Sequence, residues 1–222
     1  PNLIYTPNSN YNGPESIQVR ANDGTGNSNI STISITVNPV NDAPIAQDDT
    51  VNTTEDTPVS VNLVGTDVDG DSLTYYVVAG PSNGTLSGTL PNLTYTPNSN
   101  YNGVDSFTFR VNDGSIDSNT ATITLNVSAT NDLPVASDLN LVLDEDTSGA
   151  VNLVATDNDG DTLTYEIVAA PTNGTLSGTA TNLNYTPNSN YNGSDSFTYR
   201  VNDGTGNSNI STVAITVNPV ND

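Results

Sequence analysis

Apolar and polar residues alternate with a period of two along most of the chain. Residues 106–111 read Ser-Phe-Thr-Phe-Arg-Val, and residues 121–127 read Ala-Thr-Ile-Thr-Leu-Asn-Val. Such alternation is typical of strands that bury one face and expose the other. No window of the sequence has the spacing of an amphipathic helix. The pattern therefore predicts an all-β protein.

Turn-forming dipeptides divide residues 43–132 into short segments. Asp69-Gly70, Asn83-Gly84, Asn102-Gly103 and Asp113-Gly114 favour tight turns because glycine tolerates a positive φ. The segments between the turns predict seven strands, near residues 46–52, 58–64, 72–79, 84–87, 92–97, 105–112 and 120–127. Seven strands in about ninety residues are what an immunoglobulin-like Greek-key sandwich requires.

The sequence repeats itself with a fixed period. The phrase Tyr-Thr-Pro-Asn-Ser-Asn-Tyr-Asn-Gly begins at Tyr5, Tyr95 and Tyr185, ninety residues apart. This period predicts three segments in a linear rod: the C-terminal half of a repeat over residues 1–42, and complete repeats over 43–132 and 133–222. The first segment should hold only the last three strands of the pattern. We expect it to be completed by preceding residues of a longer chain or by a strand donated from another copy.

The composition excludes most kinds of active site. The chain has 25 acidic and three basic residues, a formal charge of -22, no His and no Cys. Zinc sites of His or Cys, thiolate nucleophiles and Ser-His-Asp triads are therefore impossible. Nucleic acid is excluded as a partner because the three arginines lie far apart. No apolar run is long enough to insert into a membrane.

The acids concentrate at the two ends of the predicted sandwiches, because alternate loops of a sandwich share an end. At the start of repeat 133–222 the predicted loops carry Asp157, Asp159, Asp161 and Asp203. At the end of repeat 43–132 they carry Glu55, Asp105, Asn131 and Asp132. One period earlier, the corresponding set is Glu15, Asp42, Asp67, Asp69, Asp71 and Asp113. The short linkers predict that each set meets at one junction.

Such a concentration of negative charge predicts bound cations. Two like charges ~4 Å apart repel by about 4 kcal/mol at an effective dielectric near 20. Several carboxylate, amide and carbonyl oxygens are the ligands of Ca²⁺, whereas Mg²⁺ keeps its waters and requires octahedral geometry. The loop at Asp67 is not an EF-hand, because Gly70 is fourth rather than sixth and Val78 stands at position twelve. A solvated acidic turn is the alternative interpretation.

Several motifs resemble those of cadherin repeats. They are Glu55, the segment 66–69 (Thr-Asp-Val-Asp), the segment 111–114 (Val-Asn-Asp-Gly) and the linker 127–134. The whole chain is most similar to the bacterial cadherin-like tandem repeats of large secreted adhesins. This resemblance implies calcium ligands at the Glu, the Asp-x-Asp, the Asp near strand six and the linker.

The sequence also departs from the cadherin pattern. The last Asn of the linker motif is Ala43 or Leu133, and its first Asp is Pro39 or Ala129. These changes indicate fewer ions at each junction. The Leu-Asp-Arg-Glu motif is missing, and Asp105 stands only near its place.

We therefore expect a non-catalytic, calcium-rigidified extender or stalk of a bacterial adhesin or surface fibre, secreted or at the cell surface. Its partners would be calcium ions, neighbouring repeats and other copies of the chain. An alternative is that the repeats themselves bind a glycan or protein, or form a filament by strand donation. The recurring tyrosines are interpreted as corner packing, not as sugar platforms.

Overall fold

The computed structural model describes residues 2–179 and 181–221. The regular secondary structure of these residues consists of β-strands alone, so the prediction of an all-β protein is confirmed. Nothing in the described ranges is a helix able to span a bilayer. The chain forms two compact units, Pro1–Ala129 and Thr130–Asp222.

The strands of the first unit follow one another with short connections. They are β1 (Gly13–Val19), β2 (Ser31–Val37), β3 (Ile45–Ala46), β4 (Asp49–Thr54), β5 (Val59–Asn62), β6 (Gly65–Thr66), β7 (Thr74–Ala79), β8 (Gly84–Thr89), β9 (Asn92–Pro97), β10 (Gly103–Asn112) and β11 (Ala121–Ser128). Strands β3 to β11 form an immunoglobulin-like sandwich. One sheet has the order β4-β11-β10-β7, the other has the order β5-β9-β8, and β3 pairs with β6.

The predicted strands are all present in this sandwich, but the first two are each divided. The first becomes β3 and β4, and the second becomes β5 and β6. The division lets the chain change sheets, since β3 pairs with β6 whereas β4 runs parallel to β11. The chain passes from one sheet to the other at Asp48, whose Oδ1 accepts a hydrogen bond of 2.6 Å from the Thr122 amide. A period of two cannot reveal such a break.

The core lies between the two sheets and follows the alternation of the sequence. Phe107, Phe109 and Val111 of β10 pack with Ile123 and Leu125 of β11, and all five are at most 1% exposed. Their polar neighbours on the strands point outward. Because β6 and β10 end close to the linker before β3, the loops that follow them lie at the same end of the sandwich.

Residues 2–42 form a simpler structure. Strands β1 and β2 make one antiparallel pair. Three strands are predicted here, but residues 2–8, which correspond to β9 and its approach, are not a strand. The reason is that β9 pairs with β5 and β8, and neither strand has a counterpart within residues 2–42.

The second unit repeats the architecture. Its strands are β12 (Val135–Ala136), β13 (Leu139–Asp144), β14 (Gly149–Asn152), β15 (Ala155–Thr156), β16 (Thr164–Ala169), β17 (Gly174–Thr179), β18 (Asn182–Pro187), β19 (Gly193–Asn202) and β20 (Ser211–Asn218). The sheet orders β13-β20-β19-β16 and β14-β18-β17, with β12 paired to β15, match those of the first sandwich. The fold prediction of tandem sandwiches is therefore confirmed.

Candidate metal centre

The loop between β6 and β7 is organised around Asp67. Its Oδ1 accepts hydrogen bonds from the backbone amides of Asp69, at 2.9 Å, and Asp71, at 3.2 Å. Gly70 allows this tight wrapping by adopting a φ of 82°. As a result, one carboxylate oxygen from each of Asp67, Asp69 and Asp71 lies within 4.8 Å of the other two.

The second oxygen of Asp67 is unusual. Asp67 Oδ2 is buried and has no hydrogen-bond partner among the described residues. A buried polar atom without a partner costs about 1–3 kcal/mol, and more when it is charged. A water molecule or a cation in contact with this atom would offset that cost.

The second unit builds the same loop from a sequence that differs at one position. Asp157, Asp159 and Asp161 are grouped in the same way, and Asp157 Oδ1 accepts the amide of Asp161 at 3.1 Å. Asp157 Oδ2 is again buried without a hydrogen-bond partner in the part of the chain that the structure describes. Asn158 replaces Val68 without changing the arrangement. The geometry is thus a property of the Asp-x-Asp-Gly-Asp pattern.

The residues before each sandwich extend this acidic group. The Asp42 amide donates to Asp69 Oδ2 at 2.7 Å, and Asn41 Nδ2 donates to Asp113 Oδ2 at 2.8 Å. Asn41 Nδ2 also contacts the carbonyl oxygen of its neighbour Asp42 at 3.2 Å. The linker is therefore held on the loop acids of the repeat that follows it.

In the second unit the same linker contacts recur. Asp132 donates its amide to Asp159 Oδ2 at 2.7 Å, and Asn131 Nδ2 donates to Asp203 Oδ2 at 2.9 Å. Asn158 Nδ2 adds a contact of 3.3 Å to the Asp132 carboxylate. In each unit, the linker and the two loops that it contacts therefore belong to that same unit.

Asp113 and Asp203 are held in tight turns after β10 and β19. Asp113 Oδ1 accepts the amides of Ser115 and Ile116 at 2.6 and 2.7 Å. The hydrogen bond from Asn41 and these two amides lower the pKa of Asp113. Asn131 lowers the pKa of Asp203 in the same way, together with the amides of Gly206 and Thr205. Both carboxylates are therefore charged at neutral pH.

The arginines are engaged elsewhere. Arg110 pairs with Asp117 at 3.1 Å, and Arg200 pairs with Glu166 at 2.7 Å. Within the described ranges, no ion pair involves an acid of the two loop clusters. Several acids within a few ångströms, together with an unpartnered buried oxygen, suit a divalent cation with hard oxygen ligands.

Not every predicted ligand joins these clusters. Asp105 lies inside its own sandwich and is 5% exposed. Its Oδ1 accepts the amides of Ser82 and Ser106, and its Oδ2 accepts the amide of Asn83 and the hydroxyl of Tyr95. Asp105 thus accepts four hydrogen bonds within its own sandwich. Its role as a metal ligand stays a prediction.

Glu15 and Glu55 are also not members of the two groups of loop aspartates. Glu15 lies at the Asp105 position of residues 2–42, exposed on β1, and its Oε1 accepts the Ser16 amide at 3.2 Å. Glu55 follows β4, is 2% exposed, and its Oε2 faces Asn102 Nδ2 at 3.5 Å.

Sequence reasoning missed three residues that the period alone would have found. Asn41 is the counterpart of Asn131 and contacts Asp113 in the same way. Asp195, the counterpart of Asp105, accepts the Tyr185 hydroxyl at 2.8 Å. Glu145, the counterpart of Glu55, is 7% exposed and accepts the Val220 amide at 2.6 Å.

The sequence pattern of the bacterial Ig domain family matches this chain three times, over residues 1–36, 41–126 and 131–216. The chain belongs to this family. It is a tandem array of immunoglobulin-like repeats with a cadherin-like fold. The matched ranges begin and end close to the steps of the ninety-residue period.

Other proteins share parts of this architecture. Integrin beta-like protein B of Dictyostelium discoideum is 30% identical over 184 residues, which cover 73% of this chain but only 10% of that protein. The extracellular domain of protocadherin gamma-B4 has 17% identity and a TM-score of 0.53, covering 93% of this chain and 40% of its own. This likeness supports the fold alone.

An enzyme also contains a similar structure. An endo-fucoidan hydrolase of glycoside hydrolase family 107 has 22% identity and a TM-score of 0.36, covering 97% of this chain and 35% of its own. The chain thus spans about a third of that enzyme. A similarity at this level carries no argument about activity.

Proposed function

We propose that this chain is a non-catalytic, calcium-rigidified extender of a bacterial adhesin or surface fibre, located outside the cell. Its segments are the half repeat 1–42 and the complete repeats 43–132 and 133–222. The proposal rests mainly on one observation. Asp67 and Asp157 each keep a buried carboxylate oxygen that has no hydrogen-bond partner among the described residues, and each belongs to a group of three neighbouring aspartates.

Calcium suits these positions better than magnesium. Ca²⁺ accepts six to eight oxygens in flexible geometry, whereas Mg²⁺ demands an octahedron and retains several waters. In the first unit the proposed ligands are Asp42, Asp67, Asp69, Asp71 and Asp113. In the second unit they are Asp132, Asp157, Asp159, Asp161 and Asp203.

The linker contacts suggest how an ion would stiffen the chain. Asp42 and Asp132 already donate backbone amides to Asp69 and Asp159. An ion bound to these loop carboxylates would reduce their mutual repulsion, so each linker would stay docked on the repeat that follows. Extracellular calcium modules bind at about 10⁻⁴–10⁻³ M, which matches extracellular fluid and leaves such sites mostly empty in the cytosol.

A calcium titration of the full chain tests this proposal. Calorimetry after chelator dialysis should show two groups of sites, one for each loop cluster. The double variant Asp157→Asn/Asp159→Asn should lose about half of the bound Ca²⁺ and part of the calcium-dependent rise in melting temperature. In chelator its melting temperature should change little, because each asparagine keeps an oxygen that can accept the amide of Asp161 or Asp132, and the mutual repulsion of the carboxylates is removed.

A matched variant separates ligand loss from loss of charge. Asp144→Asn/Glu166→Gln removes two exposed carboxylates of the same unit that lie outside the loop cluster. It should retain the full number of bound ions. If the parent chain takes up no Ca²⁺ at millimolar concentration, or if both double variants bind equally, the loop acids are only turn residues and the calcium proposal is refuted.

A further inference from the structure

The two linkers make the same backbone contact with the loop acids that follow them. The Asp42 amide reaches Asp69 Oδ2 at 2.7 Å, and the Asp132 amide reaches Asp159 Oδ2 at the same distance. Both loop clusters also contain a buried aspartate oxygen that has no hydrogen-bond partner among the described residues. The two sites differ in the residues around these shared contacts.

The first difference lies in the middle of the Asp-x-Asp-Gly-Asp pattern. Asn158 Nδ2 donates to the carboxylate of the linker residue Asp132, with 3.3 Å between Nδ2 and Oδ2. Its counterpart one period earlier is Val68, an exposed residue whose side chain has no hydrogen-bond donor. In the second unit, the linker aspartate is therefore bonded to the loop through its side chain as well as through its backbone amide.

The second difference lies in the turn after β19, which holds Asp203. Leu133 of the linker extends over Gly206 of this turn, so that Leu133 Cδ2 occupies the space that a Cβ of residue 206 would need. One period earlier these two positions are Ala43 and Ile116, so the first linker carries only a methyl group there. The apolar contact of Leu133 with the turn adds to the docking of the second linker.

These contacts bear on ion binding because they order the linker before an ion arrives. A ligand that immobilises a mobile side chain loses affinity through the lost conformational freedom, by roughly two- to tenfold for each side chain. Asn158 already holds the Asp132 carboxylate beside the second cluster. Val68 cannot hold the Asp42 carboxylate in this way, so an ion at the first cluster has more ordering to offset.

We propose that Asn158 and Leu133 raise the calcium affinity of the second unit roughly three- to tenfold above that of the first. The second unit then binds its ion first as the calcium concentration rises. This inference rests on the proposed calcium function. Both residues act by positioning Asp132, and neither needs to touch the ion.

An NMR titration of the full chain with CaCl₂ follows the two sites separately. The amide signals of Gly70 and Gly160 report the two loops, since each glycine lies between two aspartates of its cluster. We expect the midpoint at Gly160 to lie roughly three- to tenfold below the midpoint at Gly70. Asn158→Val should raise only the midpoint at Gly160, and Val68→Asn should lower only the midpoint at Gly70, each by roughly threefold or more. Each variant introduces the residue that the other repeat already has, so neither should disturb the fold.

A second measurement needs no calcium. In chelator, the Asp132 amide should exchange with solvent more slowly than the Asp42 amide, by roughly threefold or more. Asn158→Val should remove much of this difference because it releases the Asp132 carboxylate. Leu133→Ala, which copies the alanine of the first linker, should also speed the exchange of the Asp132 amide.

The outcomes distinguish this inference from the calcium proposal. If neither glycine signal moves at millimolar Ca²⁺, the calcium proposal fails and this inference fails with it. If both signals move with equal midpoints, or if the two swaps leave the midpoints unchanged, the sites bind calcium but this inference is wrong. If Asn158→Val weakens binding without changing exchange in chelator, Asn158 contacts the ion itself, and its positioning role is refuted.

Discussion

Replacing Asp105 by asparagine tests whether this carboxylate serves the core or a metal ion. The carboxylate accepts three backbone amides and the hydroxyl of Tyr95, and Tyr95 is 0% exposed. An asparagine amide turns one of the two acceptor oxygens into a donor. The two hydrogen-bond donors that this oxygen accepted then lie opposite a third donor, the new side-chain amide group.

The magnitude follows from these contacts. Each buried donor without a partner costs about 1–3 kcal/mol. If the amide group replaces Oδ2, the Tyr95 hydroxyl can rotate and accept a hydrogen bond from it. The Asn83 backbone amide can only donate, so it loses its acceptor. We therefore expect Asp105→Asn to lower the free energy of unfolding of the first sandwich by about 2–4 kcal/mol.

The assay must resolve individual repeats, because a chain of several folded units does not unfold in one step. Exchange of the most protected amides of β10 reports the stability of this sandwich. It should be measured both with Ca²⁺ and with chelator. A role in the core predicts the same loss in both conditions.

The control is Asp49→Asn, which removes an exposed charge from the same repeat. Asp49 Oδ1 accepts only the adjacent Thr50 amide, at 2.8 Å, among the bonds of the described residues. This variant should change stability by less than about 0.5 kcal/mol. A loss at Asp105 that appears only with Ca²⁺ would restore the predicted ligand role and refute the assignment of this carboxylate to the core.

Two further predictions concern acid and packing. Burial opposes the ionisation of Asp105 and Asp195, but the hydrogen bonds to each carboxylate outweigh it and lower both pKa values. A lowered folded-state pKa stabilises the fold above the unfolded-state pKa of about 3.9, and this stability is lost as the pH falls through the folded-state pKa. Unfolding followed by circular dichroism from pH 6 to pH 2 should therefore depend less on pH in Asp105→Asn/Asp195→Asn, and an unchanged slope would contradict this. In the packing test, Gly84→Ala would place a Cβ 2.6 Å from the Thr96 carbonyl oxygen and against the Tyr95 ring, so it should cost about 1–3 kcal/mol. Gly80→Ala, with no atom near its Cβ, is the control, and equal melting temperatures of the two variants would show that the site can relax.

The alternation of the sequence was sufficient to predict the sandwich. Phe107 and Phe109 are buried because every second residue of β10 faces the opposing sheet. The breaks in the first two strands were not predictable in this way. The first break lies at Asp48, whose side chain bonds Thr122, 74 residues away in the chain. The second lies at Leu63, whose amide donates to the carbonyl oxygen of Pro91.

The period predicted the loop clusters better than it predicted the role of each acid. Asp67, Asp69 and Asp71 follow a strand directly and form their cluster with local hydrogen bonds, so their proximity is encoded in a few residues. Asp105 was assigned to a junction because it precedes the predicted sixth strand and stands near the place of a cadherin ligand motif. Its actual partners, the amides of Ser82 and Asn83, come from a turn whose approach only the fold determines.

The chain thus contains two kinds of partly or fully buried carboxylate, and the difference between them bears on calcium. Asp105 and Asp195 are supplied with donors on both oxygens, so they need no ion and can stabilise each sandwich in its absence. Asp67 and Asp157 have donors on Oδ1 and none on the buried Oδ2. The arginine of each complete repeat does not serve this oxygen, because Arg110 pairs with Asp117 and Arg200 pairs with Glu166. A divalent cation can do so, and only where the fold has left an acceptor vacant. For this reason the proposed ions should control the docking of the linkers, while the sandwiches remain folded without them.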